Sequence, residues 1–229
     1  MRKEVGMGYN IAIDGPASAG KSTVAKLVAK ELGFVYVDTG AMYRGLALYF
    51  QRKGLSGDEK DKEKVIEACH HATVGIDYEE GAQQIFLNGE NVTQLIREES
   101  IGNLTSETST IPEVRAHLLL LQRNLAKVND VVMDGRDIGT YILPDADLKI
   151  FLVATVDVRA MRRYLEYQQR GIECCFEDIK RDIEERDYRD SNRPVAPLKQ
   201  AEDAILIDSS FMKIDEVVAE ILSHVQGNY

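Results

Sequence analysis

Ile11-Ala12-Ile13 runs directly into Asp14-Gly15-Pro16-Ala17-Ser18-Ala19-Gly20-Lys21-Ser22-Thr23, after which Val24, Leu27 and Val28 recur at helical spacing up to Gly33. A buried apolar strand, a glycine-punctuated turn and an amphipathic helix in immediate succession form the repeating unit of a parallel α/β sheet. The turn satisfies G-x-x-x-x-G-K-[ST] through Gly15, Gly20, Lys21 and Ser22. Each residue type has a physical task in such a loop. Glycines let backbone N–H groups turn inward, the helix N-terminus favours anionic oxygens, the lysine reaches outer phosphates and the serine hydroxyl can hold magnesium. The alternative is a glycine-rich surface turn beside an exposed lysine, and the strand before the loop and the helix after it argue against that.

The same grammar continues along the chain. Phe34 to Val37 reads as a second strand, Asp38-Thr39-Gly40 as a turn, and Ala41 to Arg52 as a helix ending at Gly54. The middle departs from it: Glu63 to Ala72 is helical in pattern, and Val74 to Tyr78 and Gln84 to Leu87 are strands, the second meeting the turn signal Asn88-Gly89. A small insertion between about residues 64 and 108 is the economical reading. Pro112 suits the first turn of a long helix through Leu118, Leu121 and Leu125. Val131 to Met133, Leu148 to Val153 and Ala204 to Ile207 supply further buried strands, and Ile214 to Leu222 a final amphipathic helix. The expected core is a five-stranded parallel sheet with helices on both faces.

A chain of 229 residues buries such a core without partners or staples, and a monomer is expected. The formal charge of -10 argues against a broad nucleic-acid surface, so a small-molecule substrate is expected and no nucleic acid. Cys69, Cys174 and Cys175 form neither a disulfide framework nor a zinc pattern, which fits a reducing compartment. Met1 to Gly8 has no apolar run and no stretch has the length of a membrane span, so a cytoplasmic protein with no membrane partner is expected, with a few loose residues before the first strand. His70, His71, His117 and His224 show no metal spacing and are read as structural or surface residues.

Charged residues gather at the ends of the predicted strands. Asp134-Gly135-Arg136-Asp137 lies where open parallel sheets build their sites; Asp134 could accept from a magnesium-bound water, and Arg136 could donate to a transferred phosphoryl group. Thr39 and Arg44, beyond the second strand, could flank a second anion. Lys180 to Arg193 carries five basic and five acidic groups. It is either a flap whose arginines converge on a phosphoryl group or a solvated helix laced with ion pairs. Arg159, Arg162 and Arg163 open the helix after the fourth strand, with Asp157 as its expected cap, and a guanidinium there could stack on an adenine.

Taken together, the phosphate loop, Asp38-Thr39-Gly40-Ala41-Met42-Tyr43-Arg44, Asp134-Gly135-Arg136-Asp137-Ile138-Gly139-Thr140 and the Arg186 to Leu198 stretch containing Asp190-Ser191-Asn192-Arg193 resemble the bacterial cytidylate kinase family. The similarity covers nearly the whole chain, including the inserted middle. It implies a P-loop nucleoside monophosphate kinase fold: a core in residues 1–63, an inserted NMP-binding domain in 64–108, core again in 109–165, a small lid in 166–193 and the end of the core in 194–229. It also implies ATP with magnesium as donor and CMP and dCMP as acceptors. Gly15, Pro16, Ala17, Ser18, Ala19, Gly20, Lys21, Ser22 and Thr23, with Arg162 and Arg163, would hold ATP, and Ser22 the metal. Thr39, Arg44, Arg136 and Arg193 would surround the phosphates, Ser106, Arg115 and Asp137 the base, and Asp190 the sugar, with Arg186 acting from the lid. Lys21, Asp134, Arg136, Arg186 and Arg193 are the residues expected to carry the transfer. Ser18-Ala19 departs from a glycine found there in many relatives, a change expected to weaken nothing essential, and Thr39 replaces a common serine while keeping the hydroxyl. The competing readings are a hydrolytic P-loop GTPase or nucleotide-regulated switch, for which the chain has no N-K-x-D, and a non-catalytic binding module using the arginine-rich segment.

Overall fold

A computed structural model describes residues 8–225. Residues 1–7, most of the stretch expected to precede the first strand loosely, lie outside the described residues. The core is a five-stranded parallel sheet built from β1 (Asn10–Asp14), β2 (Val35–Asp38), β6 (Val131–Gly135), β7 (Leu148–Val153) and β8 (Ile205–Asp208), in the spatial order β2-β6-β1-β7-β8. The strands face helices on both sides, so both faces are apolar. Ile11 and Ile13 of β1 pack with Val24, Val28, Val217 and Ile221 of α1 (Lys21–Leu32) and α8 (Ile214–Ser223). The intervening Ala12 packs with Val37, Met133 and Ala126, the last on α5 (Pro112–Val128).

Parallel register brings the strand ends together. Asp14 lies opposite Gly135 and Asp38 opposite Asp134, so three carboxylates converge on one edge of the sheet. α2 (Thr39–Arg52) starts two residues earlier than its apolar periodicity suggests, because the Asp38 side chain accepts from Ala41 N and caps it.

The middle contains α3 (Lys62–His70), an antiparallel sheet of β3 (Val74–Glu79), β4 (Ala82–Leu87) and β5 (Glu90–Asn91), and α4 (Glu99–Thr108). Its two tight turns, Glu80-Gly81 and Asn88-Gly89, all have positive φ, the geometry that matches strand twist in two-residue hairpins. The apolar residues of this region form no separate core: Val65, Ile85, Val92 and Ile101 join Leu46 and Phe50 of α2 and Leu118 of α5 in one cluster. Gln83 ties the hairpin to the sheet, accepting from Asp38 N at 2.7 Å and donating to Asp38 O at 3.1 Å.

α6 (Val156–Gln169) and α7 (Phe176–Asn192) follow β7 as an antiparallel pair. The cap of α6 is Thr155, whose Oγ1 accepts from Val158 N, and not Asp157. Asp157 lies inside the first turn and pairs with Lys180 of α7 at 2.6 Å. Sparse apolar content between Tyr167 and Arg193 suggests weak packing; the structure corrects this for the first half of α7, where Ile179 and Ile183 bury against Ala160 and Tyr167. Among the described residues no helix is long and apolar enough to cross a membrane.

Candidate active site

The loop between β1 and α1 is shaped by backbone demands that explain its glycines. A Cβ at Gly15 would lie 2.0 Å from Leu152 O, so only glycine lets the chain pass the neighbouring strand. Gly20, at φ 94, opens α1 without a side-chain cap and leaves the first-turn N–H groups of Lys21, Ser22 and Thr23 facing the cleft. Ser18 also has a left-handed backbone, at φ 59. That conformation costs a non-glycine residue about 1–2 kcal/mol, so a serine here carries a local backbone cost. Lys21 is buried, and its Nζ donates to Pro16 O at 2.7 Å. Burial first, and then the nearby Arg136, push its ammonium well below the ordinary lysine range.

At the mouth of the loop Ser22 Oγ donates to Asp134 Oδ2 at 2.8 Å, and Tyr36 Oη donates to Asp134 Oδ1 at 2.9 Å. Burial, then the charge of Asp38, raises the Asp134 carboxyl to about 6. A hydroxyl and a carboxylate side by side form a hard-oxygen donor set that suits magnesium and its waters. Thr39 Oγ1 donates to Asp134 O at 2.8 Å, a contact for which Gly135 must lack a side chain.

Deeper in the cleft positive charge accumulates. Arg136 Nε donates to Asp190 at 2.8 Å, and Arg44 reaches Ile96 O at 3.1 Å. Arg186 has a buried Nε with no protein partner. Burial, then repulsion from Arg136, lowers its guanidinium to about 9. Burial also raises Asp190, yet Arg136 and Arg186 outweigh it and hold that carboxyl below its usual range. Beyond these residues Asp137 is gripped by two guanidiniums, Arg115 on one oxygen and Arg193 on the other at 3.0 Å. Its carboxylate is therefore anchored rather than free. Next to it Ser106 offers a buried hydroxyl with no protein partner.

One cleft of about 1050 Å³ brings together Ala17 to Thr23, Thr39, Arg44, Ser106, Arg115, Asp134, Arg136, Asp137, Arg162, Arg163, Arg186, Asp190 and Arg193. Gly15 and Pro16 shape the loop without lining the cleft. Arg162 and Arg163 diverge, as consecutive helical residues must. Arg162 braces the loop through Ala19 O at 3.1 Å and Ser209 O at 2.7 Å, whereas Arg163 donates to Tyr167 Oη at 3.1 Å and lies over that ring.

Two carboxylates that brace the site, Asp14 and Asp187, were not singled out from sequence. Asp14 accepts from Ile138 N and Gly139 N, tying the Asp137 loop to the strand that feeds the phosphate loop. Arg159, one of three arginines read from sequence as able to supply a guanidinium to an adenine, is buried and donates to Ala17 O at 3.1 Å and Ala154 O at 2.9 Å. It pairs at 2.6 Å with Asp187, which itself accepts from Ala17 N at 3.4 Å. The available signal for Asp187 is its helical spacing before Asp190; nothing local marks its partner.

The family model described as cytidylate kinase matches residues 11–227. A cytidylate kinase of Lactobacillus johnsonii is 47% identical over 98% of this chain and 97% of its own length. Another from Streptococcus pyogenes serotype M4 is 49% identical over 91% of this chain and 92% of its own. Among solved structures, an uncharacterized protein from Eubacterium ventriosum shares the fold, with a TM-score of 0.53 at 13% identity over 96% of this chain and 99% of that chain. With the phosphate loop, the guanidinium cluster and the Asp137 pocket all inside the matched span, the chain belongs to the cytidylate kinase family.

Proposed function

We propose that this protein transfers the terminal phosphoryl group of ATP to CMP and dCMP, giving ADP with CDP or dCDP. The observation that carries the reading is a single cleft lined by the phosphate loop with its Lys21, by Arg44, Arg136 and Arg186, and by Ser106, Arg115 and Asp137. A cluster of cations in one cleft with two recognition ends suits two nucleotides whose phosphates meet. The acceptor phosphate is already a competent nucleophile, so placement and charge neutralisation carry the catalysis and no general base is required. Ser22 and Asp134 are the residues that would hold magnesium, directly and through its waters, and magnesium would offset negative charge on the ATP phosphates.

Arg136, Arg186 and Arg193 surround the transferring group in this reading, while Thr39 and Arg44 hold the acceptor phosphate. Cytosine donates from an exocyclic amine where uracil presents a carbonyl, and the anchored Asp137 carboxylate favours the first and repels the second. Asp190 lies on the sugar side, where contact with the 3′-hydroxyl would admit both CMP and dCMP. Residues 64–108 serve as the NMP-binding insert and 166–193 as the lid. The protein acts as a monomer on small nucleotides rather than nucleic acid, and nothing in the family assignment supports the GTPase or switch alternative.

ADP release from ATP and magnesium, measured with each nucleoside monophosphate in turn, tests the activity. CMP and dCMP should stimulate it; GTP hydrolysis alone, or no stimulation, overturns it. Lys21→Ala should lower turnover by at least about a hundredfold, equivalent to about 2.7 kcal/mol in the barrier. A loss below about tenfold removes Lys21 from its role.

A further inference from the structure

Arg186 and Asp187 are consecutive on α7, and consecutive helical residues diverge. Arg186 lines the cleft, whereas Asp187 does not. Asp187 turns instead to the phosphate loop: its Oδ1 accepts from Ala17 N at 3.4 Å, and its Oδ2 pairs with Arg159 of α6 at 2.6 Å. Arg159 completes the grip, donating from Nη1 to Ala17 O at 3.1 Å and from Nε to Ala154 O at 2.9 Å, just past the end of β7. One ion pair thus holds both the N–H and the C=O of a buried loop residue, and the same pair joins α6 to α7.

A second tie holds α7, from Asp190 to Arg136 at 2.8 Å, but both of its members line the cleft and are the groups that sugar and phosphate would engage. Arg159 and Asp187 are not among the residues lining the cleft, so occupancy by nucleotides leaves their tie in place. Arg186 needs such a tie. Its Nε is buried without a protein partner, and although Asp190 attracts its guanidinium, Arg136, Arg44 and Arg163 repel it. Its place in the cleft is set chiefly by the helix beneath it.

We propose that Asp187 is a positioning residue for phosphoryl transfer: with Arg159 it ties α7 to the phosphate loop at Ala17, and so sets the Arg186 guanidinium against the phosphates which that loop holds. A carboxylate suits the place because one of its oxygens can take the loop N–H while the other keeps the guanidinium. The inference rests on the phosphoryl-transfer reading above.

The test measures kcat, and KM for ATP and for CMP, in the parent, Asp187→Asn, Arg186→Ala and the double variant. Asp187→Asn should lower kcat about thirtyfold while KM for CMP stays within about twofold, since a displaced Arg186 is missed in the transition state and the base pocket is untouched. In the Arg186→Ala background the same Asp187→Asn change should alter kcat by less than about twofold, because its effect runs through Arg186. A kcat within about twofold of the parent, or a loss that multiplies with that of Arg186→Ala, overturns the inference. Should Arg186→Ala turn over too slowly to follow, Arg186→Lys takes its place in the cycle. Asp187→Asn leaves Arg159 buried without its counter-ion; if it fails to fold, Arg159→Met with Asp187→Leu, which removes both charges, is judged by the same kcat and the same cycle. A parent inactive on CMP overturns the activity and this inference together, whereas an active parent with an unmoved kcat in the variant overturns the inference alone.

Discussion

Asp14 shows how one buried carboxylate serves the site at a cost to the fold. It is 4% exposed and accepts from Ile138 N at 2.8 Å and Gly139 N at 2.7 Å, which locks the loop bearing Asp137 onto β1. Burial raises its carboxyl from 3.8 to about 6 despite those two donors. The folded state therefore binds more protons than the unfolded state between those values, and Asp14 lowers stability as pH rises through that window. A rise from 3.8 to about 6 corresponds to about 3 kcal/mol. Asp14→Asn cannot titrate, so its stability relative to the parent, from urea unfolding, should rise by roughly that amount between pH 4 and pH 7. A difference that stays flat across the range would show that Asp14 is already ionised in the folded protein at the lower pH.

At the scale of elements, α7 works as two halves of one face. Ile179 and Ile183 pack on α6, and the same face continues through Arg186, Asp187 and Asp190 into the cleft. The apolar half anchors the helix; the charged half carries Arg186, crowded by Arg136, Arg44 and Arg163 with an unmatched Nε. Phosphates arriving from both nucleotides would relieve that repulsion, so ligand should stabilise the second half more than the first. Amide hydrogen exchange with an ATP analogue and CMP together should show new protection in residues 176–193, concentrated beyond Ile183. Equal protection in free and doubly bound protein would rule out α7 as a closing lid, and uniform gain along the helix would rule out the division into halves.

For the molecule as a whole, the shared core limits how closure can occur. Residues 64–108 read in sequence as a small insertion that could rotate toward the cleft as the lid closes, and in the fold Val65, Ile85 and Ile101 are packed with Leu46, Phe50 and Leu118. A close-packed cluster moves as a unit, so the hairpin, α3 and α4 should carry the second half of α2 and the start of α5 with them. Spin labels at Glu79 and Gln51 should keep their separation when both nucleotides bind, while the distance from Glu79 to Glu184 shortens. A change in the first distance as large as that in the second would mean that the insert moves independently of α2. The measurement needs Cys69, Cys174 and Cys175 replaced, and Cys69 is buried in this same cluster, so the unlabelled background must first be shown to fold.

The order of strands and helices, the loop from Gly15 to Thr23 and the Asn88-Gly89 turn were legible in the sequence because each depends on nearby residues: apolar period, glycine placement and turn chemistry act over one element at a time. Most of the cleft was legible through its resemblance to a family, since its residues sit in short recognisable runs at strand ends. Helix boundaries at Asp38 and Thr155 were missed by a turn or less, because caps depend on which side chain closes the bond rather than on period. The braces that hold the site were not legible at all. Asp14 with Ile138 and Gly139, and Arg159 with Asp187 and Ala17, join residues remote in the chain. Whether a buried polar group is matched, and what it costs to ionise, is set by neighbours that only the folded chain brings within a few ångströms, so the tertiary structure alone decided the roles of these residues.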